Sequence, residues 1–337
     1  MLSILSDVHA THIKAINALL DDYLKHGRAQ HLARTNSLMT QYHLSSGGKR
    51  LRALIPCLVF ETFDRNASDA YVLASAVELI HNATLVHDDL QDGDEMRRNQ
   101  PTVWKKFSPA QAINCGDAML YFALDVLLAH SGFPARALNR TIQTFVENCL
   151  HVIEGQSLEF LLKDGPLPQM EHYLNVVQGK TSGLFALPFE SALSALDVPE
   201  EMIFKTRSIT TKLGTAFQIQ DDYIDLYGNK GRGENRATDI AEGKISYFVV
   251  HTLNTASASE QTSLLKTLKL PRQDTDNAAI DSALQLFEKY HAKQAAIEYL
   301  SKLQSELIES IDQLQELPLQ FKELLKAVAH DFTNLTA

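Results

Sequence analysis

The chain has 337 residues, 45% hydrophobic and 21% charged, with 31 Lys and Arg against 41 Asp and Glu, a net charge of −10 and a pI near 5.7. This is the make-up of a globular chain with ample core, which excludes wholesale disorder; its sign argues against nucleic acid or an anionic membrane surface as the main partner. The three cysteines, Cys57, Cys115 and Cys149, show no metal-ligand spacing. They exclude a disulfide framework or zinc finger and suit a reducing, cytoplasmic setting.

From the N-terminus onward, no charged segment leads into an apolar stretch, so no signal peptide is expected. Residues 68–89 open with Ser68 as a candidate N-cap and carry Tyr71, Val72, Ala76, Leu79, Ile80, Ala83 and Val86 at spacings of three and four, the pattern of a helix. Similar patterns run through 114–130, 140–163, 203–226, 245–253, 278–300 and 300–332. The most apolar segment, 118–130, is interrupted by Asp125 and is shorter than the roughly 20 residues that cross a bilayer, so no membrane span is expected. Residues 228–243 read as a mobile glycine-rich loop, and the polar stretch 256–277 as a surface connection. Pro56 and Pro188 fall near apolar runs as possible kinks or helix starts. Length suggests about two domains. Strand signals and linker composition are almost absent, however, so the expected fold is all-α, a single domain over 1–337 forming a large bundle of ten or more helices.

Two aspartate clusters stand out. Asp88-Asp89-Leu90-Gln91-Asp92 and Asp221-Asp222-Tyr223-Ile224-Asp225 both read D-D-x-x-D at the C-terminal end of an apolar helix. Asp88 and Asp92 are i,i+4 neighbours on one face, as are Asp221 and Asp225. Like charges at that spacing repel, at a helix end that is already the negative pole, so folding alone does not favour the arrangement twice. If Asp is about a twentieth of residues, two such clusters arise by chance in about one chain in a thousand of this length. A hard divalent cation would favour it. No loop has the ligand pattern of an EF-hand, so Mg²⁺ is preferred to Ca²⁺.

The cations complete the pattern. Gly47-Gly48-Lys49-Arg50-Leu51-Arg52 sets three positive charges behind a glycine pair, and Arg97-Arg98 follows the first aspartate cluster. Neither a P-loop nor a dinucleotide fingerprint is present. Carboxylate-held metal with arginine and lysine suits a diphosphate, and apolar helices suit a greasy tail. Ionisation of an allylic diphosphate is the reaction class this supports, because metal neutralises the leaving group and a dry interior shields the carbocation.

Gly47 to Arg52, the block HNATLVHDDLQDGDEMRRNQPT from His81, Gly116-Asp117, Gly155-Gln156, Lys180-Thr181-Ser182, and Phe217 to Asp225 followed by Glu242-Gly243-Lys244 resemble the trans-isoprenyl diphosphate synthases, over roughly residues 42–251. The resemblance implies an all-α, Mg²⁺-dependent and usually homodimeric enzyme with two to three ions in a central cavity. It would condense isopentenyl diphosphate head to tail with an allylic diphosphate. Asp88, Asp92 and Asp221 would hold Mg²⁺, with Asp89, Asp222 and Asp225 completing the catalytic clusters. Lys49, Arg52, His81 and Arg98 match positions that bind isopentenyl diphosphate. Arg97, Lys180 and Lys244 match those that grip the allylic diphosphate, with Thr181 and Gln218 beside them. By the same resemblance the leaving pyrophosphate would take the final proton, so no side-chain base is named.

Three positions depart from the family pattern: Ala53 for proline, Glu159 for aspartate, and Glu234 for a lysine that helps hold the allylic diphosphate, with Arg236 two residues on. Product length in the family depends on the cavity floor. The places four and five before the first aspartate hold Thr84 and Ala83, too small for a C10 or C15 stop, and Tyr121-Phe122 occupy the place of an aromatic floor in some geranylgeranyl diphosphate synthases. The expectation is a product of about C20 or somewhat longer. Two alternatives stand beside it: a class I terpene cyclase, and a catalytically weak subunit that binds prenyl diphosphates.

Overall fold

A computed structural model of the chain describes residues 9–228 and 237–335. Among them are sixteen α-helical segments: α1 (Ala10–Lys25), α2 (Arg28–Leu32), α3 (Arg34–Ser45), α4 (Leu51–Thr62), α5 (Tyr71–Gln91), α6 (Val103–Lys106), α7 (Pro109–His130), α8 (Ala135–Asp164), α9 (Met170–Ala195), α10 (Glu200–Tyr227), α11 (Thr238–Ala241), α12 (Tyr247–Thr255), α13 (Ala258–Leu268), α14 (Asn277–Lys289), α15 (Ala292–Asp312) and α16 (Leu319–Thr333). A two-residue hairpin, β1 (Met96–Arg97) with β2 (Gln100–Pro101), supplies the only strands described. The all-α expectation holds.

Local chemistry accounts for most boundaries and for the departures from expectation. Ser68 is not the cap of α5; it lies in a preceding 3-10 turn, Ala67–Ala70. Ser108 caps α7 instead, accepting from the Gln111 N–H with Pro109 at the first turn. The apolar run around Asp125 thus belongs to a helix of 22 residues, long and apolar enough by composition to cross a membrane. It packs along α5, and Asp125 is held by Arg28 and the Tyr23 hydroxyl, so α7 is a helix of the bundle. Residues 278–300 divide at His291, whose φ of 55° breaks the helix, and 300–332 divide before Pro318. The polar stretch 256–277 holds α13 and a 3-10 turn.

Helix α9 escaped the periodicity reading because residues 185–195 are buried without interruption; a helix buried on every side has no exposed face for the pattern to reveal. It contains Pro188, as α4 contains Pro56. It lies between α8 and α10, its most extensive neighbours, with α5 and α7 paired beside them. Gly155 of α8 meets Gly179 of α9: a Cβ on Gly155 would stand 2.0 Å from the Lys180 nitrogen, and one on Gly179 2.7 Å from the Gly155 Cα. This crossing sets the spacing of the helices that line the site. Gly155→Ala should therefore cost about 1–3 kcal/mol in denaturant unfolding and reduce activity, with Gly179→Ala behaving alike.

Candidate active site

A cavity of about 520 Å³ opens between α5, α8, α9 and α10. Asp88 and Asp92 enter it from the end of α5, Asp221 and Asp222 from α10, Lys180 and Thr181 from α9, Gln156 and Glu159 from α8, and Arg97 and Lys244 from the loops beyond. Thr84, Leu85, Val152, Ile153, Leu184 and Phe217 also line it. Each of these lies about one helical turn, roughly 5 Å, from a charged or amide residue on its own helix. The cavity wall thus carries charged and amide groups alongside apolar side chains.

Within each aspartate cluster the carboxylates divide their work. Asp88 and Asp92 face the cavity, and burial raises both carboxyls above their ordinary range, with Lys180 and Lys244 opposing. Asp89 is 1% exposed and turns away; its Oδ1 takes Arg97 Nη2 at 2.6 Å and thereby aims the guanidinium. Asp222 accepts from the Tyr173 hydroxyl, Gln218 Nε2 and the Tyr247 N–H. Burial, with Asp239 nearby, pushes its carboxyl up to about 7. Asp225 lies outside the cavity and accepts from the Thr238 hydroxyl and the Asp239 N–H, tying α11 to α10. Asp89 and Asp225, expected as catalytic, thus stand outside the cavity wall, paired with Arg97 and with α11. Asp222 lines the cavity with its oxygens already engaged.

The cations are braced in the same way. Lys180 Nζ lies 2.5 Å from Glu159 Oε2 and 4.0 Å from Asp88 Oδ1. Burial works against its charge, but Glu159 and Asp88 outweigh burial and hold the ammonium above its usual range. Lys244 pairs with Glu242 at 2.7 Å and Asp239 at 3.3 Å. The Thr181 hydroxyl donates to Gln218 Oε1 at 2.6 Å, which turns the Gln218 amide toward Asp222.

Arg52 lies over the Phe217 ring, 5.5 Å from its centroid. Its Nε and the Nδ1 of His81 are buried without a hydrogen-bond partner in the protein. Burial, reinforced by Arg52, Arg98 and Arg97, pushes the His81 imidazole well below its ordinary range, so it serves as a neutral donor or acceptor. Arg50, the middle cation of its run, points elsewhere. Its φ of 54° turns the guanidinium inward onto Glu78 at 2.8 Å, Asn17 and the Leu44 carbonyl. Removing Glu78 would leave a buried unpaired charge, a loss of about 3–5 kcal/mol.

Three chemical facts bear on metal. The donors are hard carboxylates on two facing helices, and burial leaves Asp88 and Asp92 short of compensating charge. Among the described residues no three His, Cys, Asp or Glu side chains converge closely enough to hold a metal ion by themselves. That set fits Mg²⁺, which takes a few carboxylates and completes its shell with water and phosphate oxygens.

The profile of the polyprenyl synthetase family matches residues 34–287. The chain belongs to that family. It is a prenyltransferase, 31% identical over 294 residues to a geranylgeranyl diphosphate synthase of Saccharolobus solfataricus, covering 86% of each chain. It is 27% identical over 307 residues to a geranylfarnesyl diphosphate synthase of Natronomonas pharaonis, covering 86% of this chain and 87% of the other. The crystal structure of a geranylgeranyl pyrophosphate synthetase from Pyrococcus horikoshii superposes with a TM-score of 0.84 at 26% identity, covering 97% of this chain and 98% of that one.

Several expected residues of this polyprenyl synthetase lie outside the cavity wall. Lys49 is exposed, and the Arg98 guanidinium folds back on the Gly47 carbonyl and over Gly48. Tyr121 is 71% exposed on the outer face of α7, and Phe122 packs inward against Tyr23, so neither lines the cavity of this chain. Ala83 is buried beside Met39, Val86 and Met119, which leaves Thr84 as the cavity-lining member of its pair. Glu234 and Arg236 lie outside the described residues. Tyr173, Gln91 and Asp94 line the cavity and were missed. Only Asp94, in the run Asp92-Gly93-Asp94, carried a signal in the sequence. Asp88→Ala and Asp221→Ala should each lower turnover by at least about 10²–10³-fold, the scale of losing one transition-state electrostatic contact, while circular dichroism retains the helical signal.

Proposed function

We propose that the whole chain, acting as one helical domain, condenses isopentenyl diphosphate with an allylic prenyl diphosphate, giving an (E)-prenyl diphosphate of about C20 or somewhat longer. The observation that carries this reading is one cavity lined both by paired aspartates and lysines and by Thr84, Leu85, Val152 and Leu184. Lys180, Lys244 and Arg97 would grip the allylic diphosphate, with Thr181 and Gln218 beside it. Arg52 and neutral His81 would receive isopentenyl diphosphate, with Lys49 and Arg98 on the adjoining loop. Asp88, Asp92 and Asp221 would hold two to three Mg²⁺ ions, which when bound neutralise the departing diphosphate. The apolar wall keeps water from the allylic carbocation, and small Thr84 leaves room for growth. Three unpaired cysteines suit a cytoplasmic setting.

The chain is also proposed to work as a homodimer. Ile113, Tyr121 and Leu128 of α7 recur at helical spacing on an exposed face, as do Val146, Leu150 and Ile153 of α8. A patch of this kind marks a contact surface. Ile153 lines the cavity as well, so a second copy over this face would close its wall.

Radiolabelled isopentenyl diphosphate with Mg²⁺ and separate C5, C10 and C15 primers tests the reaction. A ladder of alcohols ending at one length after dephosphorylation is expected; product formed without isopentenyl diphosphate would instead indicate a cyclase, and no incorporation a non-catalytic subunit. Leu85→Phe, one turn below Asp88, should shorten the product by at least one C5 unit. Tyr121→Asp with Leu150→Asp should halve the mass measured by light scattering; a wild-type monomer would count against the dimer.

A further inference from the structure

The polar stretch between α13 and α14, expected to be a surface connection, sends one side chain to the active-site mouth. Arg272 follows Pro271 in the 3-10 turn Arg272–Asp274. Its Nη1 donates to Asp94 Oδ1 at 2.5 Å, and its Nη2 stands 3.2 Å from Glu242 Oε1, an ion-pair contact without hydrogen-bond alignment. Both carboxylates line the cavity. We propose that Arg272 is a positioning residue for the diphosphate site, a clasp joining the loop that carries Asp92 to the loop that carries Lys244.

The two loops are otherwise anchored separately. Asp94 is two residues beyond Asp92; its N–H donates to the Asp89 carbonyl and its own carbonyl accepts from Trp104 Nε1. Glu242 is two residues before Lys244, and its carbonyl accepts from Lys163 Nζ. A planar guanidinium spans two carboxylates at once, which a lysine ammonium does less well. The clasp has an electrostatic consequence too. Asp94 and Glu242 face a site built for an anion, and Glu242 Oε2 already holds Lys244 Nζ at 2.7 Å. Without Arg272, both carboxylates would repel the diphosphate, and Glu242 would lean on Lys244 alone.

This inference deepens the prenyl diphosphate reading and rests on it, so its test is made on binding as well as turnover. Calorimetry with inorganic pyrophosphate and Mg²⁺ on the full chain compares wild type, Arg272→Gln, Arg272→Lys and Arg272→Gln with Asp94→Asn. Arg272→Gln is expected to bind about two- to fivefold more weakly, the scale of a half-exposed ion pair. Arg272→Lys should fall between, and Asp94→Asn should recover part of the loss by removing an uncompensated charge. In turnover, KM for the allylic diphosphate should rise in proportion while KM for isopentenyl diphosphate holds. Unchanged pyrophosphate affinity in Arg272→Gln would overturn the clasp. So would equal losses in the Gln and Lys variants that follow a lowered melting temperature and are not relieved by Asp94→Asn. Wild-type protein that binds no pyrophosphate would overturn the diphosphate site and the clasp together, whereas binding without prenyl product would count against the reaction alone.

Discussion

The approach of α8 to α9 at Gly155 and Gly179 is the constraint on which the site depends. With no side chain on either helix at the crossing, the backbones come close enough for Glu159 to reach Lys180 at 2.5 Å, and Lys180 lies 4.0 Å from Asp88 on a third helix. Any wider spacing would open the ion pair that keeps a buried ammonium charged. The same crossing sets Val152 and Ile153 opposite Leu184, so charge placement and the spacing of the apolar wall share one cause.

Charge balance in a poorly solvated space explains the second layer of residues. A buried carboxylate or guanidinium is tolerated only when paired and hydrogen-bonded. Three of the cavity's cations have carboxylate partners: Asp89 for Arg97, Glu159 for Lys180, and Glu242 and Asp239 for Lys244. The second aspartate of each cluster serves such a role, Asp89 through Arg97 and Asp222 through Tyr173, Gln218 and the Tyr247 N–H. A D-D-x-x-D motif is thus two kinds of carboxylate interleaved on one helix. The i,i+4 pair reaches the cavity from α5, and the middle residue, about 100° around the helix, braces its surroundings.

The amphipathic helices were legible because their apolar faces repeat every three to four residues, as in residues 71–86 of α5. Helix α9 was not, since burial on every side erases the repeat. His291 and the turn before Pro318 divided long patterns that looked continuous, because side-chain periodicity can persist across a single left-handed residue or a short break.

For the site, the sequence alone determined the chemistry: two clusters of hard oxygen donors, lysines and arginines for a diphosphate, and enough apolar helix for a prenyl tail. These follow from residue type and local spacing. Tertiary structure decided direction. Arg50 turns to Glu78 while Arg52 turns to the cavity two residues later, a choice made by a backbone φ of 54°. Tyr121 and Phe122 are neighbours in the chain, yet one faces outward and the other packs on Tyr23, so neither lines the cavity of this chain. Arg272 meets Asp94 across 178 positions of sequence, and no local pattern encodes a contact between loops that only the packed helices bring together.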